Sequence, residues 1–216
     1  MASLKRGRLD CLLLDRIEYL TAFDGAIWDR LIELLEDGTL LSLGVSVRKP
    51  AEADAALDNR DVCHLELPFN VLDWRWRESG VVDRIRARPG VTVHARNVLL
   101  HGLLADADPA TWPIDEEVDP TNILQGLQTL TRKFCRASVA DLCVAYVRGQ
   151  DWIGGTVHIP DSGRRDIELS LSLQRPLDPG ECAAVMQRMP RVPERLLLEE
   201  PLPERPCGAL DQMRNS

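Results

Sequence analysis

The chain is predicted to be an α/β protein with about five parallel strands and flanking helices. Three observations lead there. Short, nearly continuous apolar runs recur at intervals of 20–30 residues. Between them lie stretches whose apolar residues follow helical spacing. Glycine, proline and capping residues mark the junctions. Strand and helix alternating at this spacing imply parallel strands joined by right-handed crossovers, and strands buried in such a sheet read as continuous apolar runs.

The elements follow in order. LDCLLLDR (9–16) is a strand that ends abruptly in Asp15 and Arg16. Charge at the end of a buried strand must be paired or solvated, so Asp15 marks either a functional rim or the exit from the core. Asp24 is expected to cap the helix GAIWDRLIELLEDG (25–38), with Ile27, Trp28, Leu31, Leu34 and Leu35 on one face and Gly38 as its stop. LLSLGVSV (40–47) is a second strand, and Pro50 opens a short helix through Leu57. CHLELPFN (63–70) is a third strand, SGVVDRIRARPG (79–90) a helix closed by Gly90, and VTVHARNVLL (91–100) a fourth strand. A loop of mixed polarity, 102–118, leads to helices at about 120–136 and 138–149, the second starting at Ser138 and Asp141 in a pattern like a capping box. GGTVHIP (154–160) is a fifth strand. DIELSLSL (166–173) alternates like a strand where a helix is due, and LDPGECAAVMQRM (177–189) is a helix. The organised domain is expected over 1–190, followed by a tail rich in proline and charge over 191–216 that wraps the body or hangs loose.

Composition narrows the function classes. A net charge of −8 argues against nucleic acid, whose affinity comes from cation excess. The basic residues 1–8 precede an apolar run too short for a secretory signal or a membrane span. The cysteines at 11, 63, 135, 143, 182 and 207 form no CxxC pair and no zinc spacing with histidine. Reduced, mostly buried thiols in a cytoplasmic protein without a bound metal are expected.

LDCLLLDR, GAIWDRLIELLEDGTLLSLGVSV, HLELPFNVLDWR, VTVHARNVLLHGLL and SVADLCVAYVRGQDWIGGTVHIP together resemble, in order and spacing, the aldo-keto reductase family, over about residues 4–190. That family is a (β/α)8 barrel that reduces carbonyls with NADPH and no metal. The resemblance implies a partial TIM-type (β/α) barrel that starts in the family's third helix and fourth strand. The three preceding βα units, which carry the family's catalytic Asp, Tyr and Lys, have no counterpart. The fourth catalytic position, a His in the family, is Asp15 here. The family's Ser-Asn pair reads Ser46-Val47, its strand-six glutamine is Glu66, and the aromatic platform beneath the nicotinamide is Arg96. The phosphate loop reads PDSGRRDIELSL, with Asp166 and Ser170 in the amide places beside Arg164 and Arg165. The resemblance therefore implies loss of the family's reduction, and no cofactor is expected, with NADP the alternative.

A barrel has no free edges, and an incomplete one exposes two. Completion by a second copy is expected; a separate partner or the C-terminal tail are the other solutions. Trp74, Trp76 and Leu196–Leu198 are candidate contacts. Strand ends collect the candidate site: Asp15, Glu66, His94 and Arg96 as catalytic groups, and Ser46, Asn70, His158 and Arg16 as substrate contacts. Strand alternation puts His94 and Arg96 on one face. Such a set suits proton transfer on a small molecule: a dehydratase, isomerase, lyase or cyclase with Arg96 paired to a carboxylate or enolate oxygen. Structural explanations stand beside it. Asp15 with Arg16 reads equally as a rim ion pair and Glu66 with Arg96 as an internal salt bridge. His94 and His158 read as satisfied rim residues, and His64 and His101 receive no role. A non-catalytic scaffold subunit, or an NADPH oxidoreductase completed by a partner chain, are the competing functions.

Overall fold

The computed structural model describes residues 7–105, 108–157 and 175–198. Strands β1 (Leu12–Leu14), β2 (Leu43–Ser46), β3 (Val62–Pro68), β4 (Thr92–Arg96) and β5 (Gly155–Thr156) form one sheet in the order of the sequence, every neighbouring pair parallel. The helices are α1 (Ala26–Glu36), α2 (Pro50–Asp58), α3 (Arg75–Glu78), α4 (Val81–Arg86), α5 (Pro120–Lys133), α6 (Val139–Arg148), α7 (Pro179–Arg188) and α8 (Glu194–Leu197).

The unreversed strand order decides the architecture. Right-handed crossovers that all step the same way place every crossover helix on one face, whereas a doubly wound sheet reverses and covers both. The chain is thus an arc of a (β/α) barrel. Leu43, Val45, Leu65, Leu67, Val93 and Ala95 lie under the helices, none more than 1% exposed. The alternate residues Ser46, His64, Glu66, His94 and Arg96 occupy the opposite face and are only partly buried.

Local chemistry explains most boundaries. Pro50 pre-sets the first turn of α2. Asp119 caps α5 by accepting the Asn122 N–H at 3.0 Å, and Ser138 caps α6 by accepting the Asp141 N–H at 3.0 Å. The Asp141 carboxylate reaches back to the Ala137 N–H at 3.0 Å and to Arg136 at 2.5 Å, filling the returning half of the box one residue early. α7 carries the reciprocal pair, Asp178 accepting from the Glu181 N–H at 2.8 Å and Glu181 from the Asp178 N–H at 3.0 Å.

Several expectations are corrected. Asp24 does not cap α1: it and Phe23 sit at φ 53° and 55°, so neither offers the extended backbone a capping side chain needs, and Gly25 at φ 86° takes the cap position. The fourth strand stops at Arg96, because Asn97, Leu100 and His101 have positive φ (53°, 48° and 53°) and break the extended run. Val98 and Leu100 pack into the core from that turn. Helix α3 lies where no element is expected. Trp76, Leu196 and Leu197 are buried within this chain, not presented as a contact surface. Trp74 is half-buried, donates through Nε1 to the Val192 carbonyl at 2.9 Å, and is covered by the Arg191 guanidinium 3.6 Å from its ring centre. Val192 is buried as well, so residues 192–197 pack against the body. His158, Arg164, Arg165, Asp166 and Ser170 lie outside the described residues, as does DIELSLSL.

A buried ionic cluster accounts for α3. Asp73, fully buried, takes a two-point contact from Arg75, Nε to Oδ1 at 3.0 Å and Nη2 to Oδ2 at 2.8 Å, and the Trp76 indole N–H at 3.2 Å. Arg75 also donates to the Leu197 carbonyl at 3.2 Å, tying α8 to the turn after β3. Burial lifts the Asp73 carboxyl above its ordinary value, and the Arg75 fork opposes that rise.

Two outcomes follow. A Cβ on Gly44 would lie 2.3 Å from the His64 carbonyl oxygen and 2.5 Å from Leu13, both in the strands that flank it. Gly44→Ala is expected to lower stability by about 3 kcal/mol, read from the urea midpoint at constant m-value. Asp73→Asn leaves the buried Arg75 with only the exposed Glu194 carboxylate, 3.7 Å away, to oppose its charge. It is expected to lose about 3–5 kcal/mol, with faster amide exchange in α8.

Candidate active site on the open face of the sheet

The face without helices carries its polar groups in register. Ser46 pairs with Glu66, Glu66 with His94 and His94 with Gly155, forming one row across four strands. His64 and Thr92 lie one row back and Arg96 one row forward. Parallel partners project to the same face, so the row is a consequence of register and needs no loop to assemble it.

Within it, Ser46 Oγ donates to Glu66 Oε1 at 3.4 Å, and Arg96 Nη1 stands 3.6 Å from the same oxygen. The guanidinium is anchored more closely to main chain, Nη1 to the Glu66 carbonyl at 3.0 Å and Nη2 to the Val47 carbonyl at 3.2 Å. These contacts hold the Arg96 side chain to 14% exposure and that of Glu66 to 21%. The His64 and His94 rings meet edge to face with centroids 4.5 Å apart. Glycine makes room for them: a Cβ on Gly155 would stand 3.0 Å from His94 Cδ2. Among the described residues, His64 Nε2 is buried without a hydrogen-bond partner. Burial first, and the facing His94 second, push the His64 imidazole below its ordinary value, so it is neutral near pH 7.

The expected site residues thus divide. Ser46, Glu66, His94 and Arg96 share one face, and Glu66 meets both Ser46 and Arg96. Asp15, which ends β1, points to solvent at 74% side-chain exposure and pairs with Arg16 at 3.7 Å; Arg16 is itself 57% exposed. Asn70 is buried in the turn after β3, where its Oδ1 accepts the Leu72 N–H at 3.0 Å. That bond shapes the turn and leaves Asn70 off the open face. His64, given no role from the sequence, belongs to the cluster: it stands two residues before Glu66 and therefore on the same face, a signal the sequence did carry. The buried Asp73–Arg75 pair was also missed.

Two clefts lie elsewhere. One of about 270 Å³ is lined by Val71, Trp74, Arg77, Met186 and Arg191, and another of about 330 Å³ by Arg86, Pro89, Val91, Asp151 and Trp152. The polar row is an open, shallow surface, and its chemistry, not its depth, marks it as the candidate site. Among the described residues no cluster of His, Cys, Asp and Glu has the arrangement of a metal centre, and no helix is long and apolar enough to cross a membrane.

A sequential parallel sheet with helices on one side defines the chain as part of a (β/α) barrel. Solved structures similar to this chain include aldo-keto reductases. The holo form of AKR11C1 from Bacillus halodurans is 18% identical, with a TM-score of 0.67 over 88% of this chain. Its apo form, also 18% identical, gives 0.59 over 86%. The thermostable aldo-keto reductase Tm1743, in complex with the inhibitor epalrestat, is 14% identical and gives 0.60 over 86%. In each case the chain spans only 62% of the length of the structure it matches. No protein-family model and no curated protein matches the sequence. The chain has the aldo-keto reductase fold over that part of its length.

The lowered His64 value has a consequence for stability. The folded chain binds this proton less tightly than the unfolded chain, whose histidine titrates near about 6.5. The stability contribution is fully present above that value and is lost as pH falls below it, until the lowered folded value is passed. His64→Gln is expected to flatten the fall in unfolding free energy between about pH 7.5 and 5.5, measured by urea titration at each pH.

Proposed function

We propose that the open face is a non-redox acid–base site for a small anionic molecule, of the dehydratase, isomerase, lyase or cyclase type. The observation that carries this reading is the row itself: a carboxylate approached by a hydroxyl and a guanidinium, with a histidine in register beside it. Arg96 supplies fixed positive charge for a carboxylate or enolate oxygen. His94 moves the proton, Glu66 holds or accepts it, and Ser46 orients Glu66. Asp15 and Arg16 stay at the rim, solvated and paired with each other.

The fold brings NADPH into consideration, and the described residues do not fit it. The position that the resemblance assigns to an aromatic ring beneath the nicotinamide holds Arg96, a charged group committed to two carbonyls and to Glu66. The second reading, a non-catalytic binding subunit, is favoured by the shallowness of the face.

Proton exchange separates the two. With pyruvate in D2O as a carbon-acid probe, the protein is expected to accelerate loss of the methyl proton signal above the buffer rate. His94→Asn and Glu66→Gln are each expected to reduce that acceleration by about 100-fold or more. No acceleration with pyruvate or a panel of related 2-oxo acids, or acceleration indifferent to both substitutions, overturns the acid–base reading. Saturable quenching of NADPH fluorescence would restore the reductase.

A further inference from the structure

The cleft of about 270 Å³ opens between the turn that leaves β3 and the end of α7. Much of its wall is apolar: Leu72, Trp74, Met186 and Met189 line it, and Met186 is 39% exposed. Its charged groups are unequally partnered. The Arg191 guanidinium, stacked on the Trp74 ring, is neutralised by Glu78 at 2.9 Å, which commits the acid on the wall. The Arg77 guanidinium is half-buried on the same wall, and among the described residues it forms no ion pair with any carboxylate. The nearby buried acid, Asp73, is held by Arg75. Arg77 Nη1 donates instead to the Tyr146 hydroxyl at 2.5 Å. Burial pushes the Tyr146 phenol up to about 12, so it is neutral near pH 7 and brings Arg77 no counter-charge.

A buried phenol asks for a single hydrogen-bond partner, which a neutral amide would supply at a lower desolvation cost. A guanidinium carries five N–H donors, of which the phenol takes one. The remaining donors and a full positive charge stand beside an apolar wall, an arrangement that is costly until an anion meets it. We infer that this cleft binds a small monocarboxylate with an apolar body, the carboxylate paired with Arg77 and the body set among Trp74, Met186 and Met189. Charge selects the head group. Glu78 and Arg191 cancel, so Arg77 is the excess, and it balances one negative charge and no more. The planar fork of arginine matches a carboxylate in two-point contact. The wall selects the body. Thioethers adapt to its shape and make favourable contacts with aromatic rings. An apolar cavity of about 150 Å³ takes up benzene, so this cleft holds a single ring together with its carboxylate.

This inference is independent of the acid–base reading, which rests on Arg96 and the open face. It is tested by calorimetric titration with benzoate, with benzamide as the neutral counterpart. Benzoate is expected to bind saturably at one site, and benzamide about tenfold more weakly or worse. Met186→Glu, at an exposed position of α7, brings negative charge to the cleft without touching the core. It is expected to weaken benzoate binding by about tenfold or more, with an unchanged far-UV circular dichroism spectrum. Arg77→Met is expected to abolish the binding; if the loss of the Tyr146 contact unfolds that variant, Met186→Glu decides alone. No saturable binding of benzoate or of hexanoate, or benzamide bound as tightly as benzoate, overturns the inference. Benzoate binding that ignores Met186→Glu belongs to another cation, such as Arg96, and overturns the assignment to this cleft while leaving the acid–base reading standing.

Discussion

Parallel strands laid down in strict sequence order can be covered on one face only. Each right-handed crossover returns its helix to the same side, and with no reversal in the order nothing in the described chain covers the other. In a closed barrel the second face becomes an interior, filled by side chains from all strands. In an arc it stays open, and its residues must tolerate water. The side chains obey this division. Leu65, Leu67, Val93 and Ala95 face the helices, while His64, Glu66, His94 and Arg96 alternate with them on the open side.

An open face carrying charge requires that the charge be held. The Arg96 guanidinium is fixed less by Glu66, at 3.6 Å, than by two main-chain carbonyls at 3.0 and 3.2 Å. Those carbonyls belong to Glu66 of β3 and to Val47, the residue that follows β2, so the sheet itself positions the cation. The same backbone sets the limits of the cluster. Gly44 lets β2 approach His64, and Gly155 leaves the space His94 occupies. A site made from strand register and two glycines is rigid without being deep.

The end of the described chain is fastened from beneath. Arg75 reaches from the buried Asp73 carboxylate to the Leu197 carbonyl, Trp74 holds Val192, and Arg195 binds Asp115 and Glu117 at the surface. The buried part of this fastening matters most, since exposed ion pairs contribute little and a buried partner cannot be removed without stranding charge. The open face and the clamped strap are thus separate constructions on one arc, the first decided by strand order and the second by a single buried acid.

Strand and helix identity, their parallel sense and the likeness to a (β/α) barrel were legible in the sequence, because apolar period and start signals such as Ser138 and Pro50 act within a few residues. So was the shared face of His94 and Arg96, which depends only on alternation along one strand. Register between strands decided the rest. It placed Glu66 beside His94 and His64 against it, and it left Asp15 in solvent although it reads as the head of the same row. The buried turn around Asn70, the α3 turn drawn in by Asp73, and the left-handed residues that end β4 at Arg96 also came from contacts between distant segments. Sequence determines what repeats locally; which side chain faces which, across strands that lie 20–30 residues apart in the chain, only the tertiary structure decides.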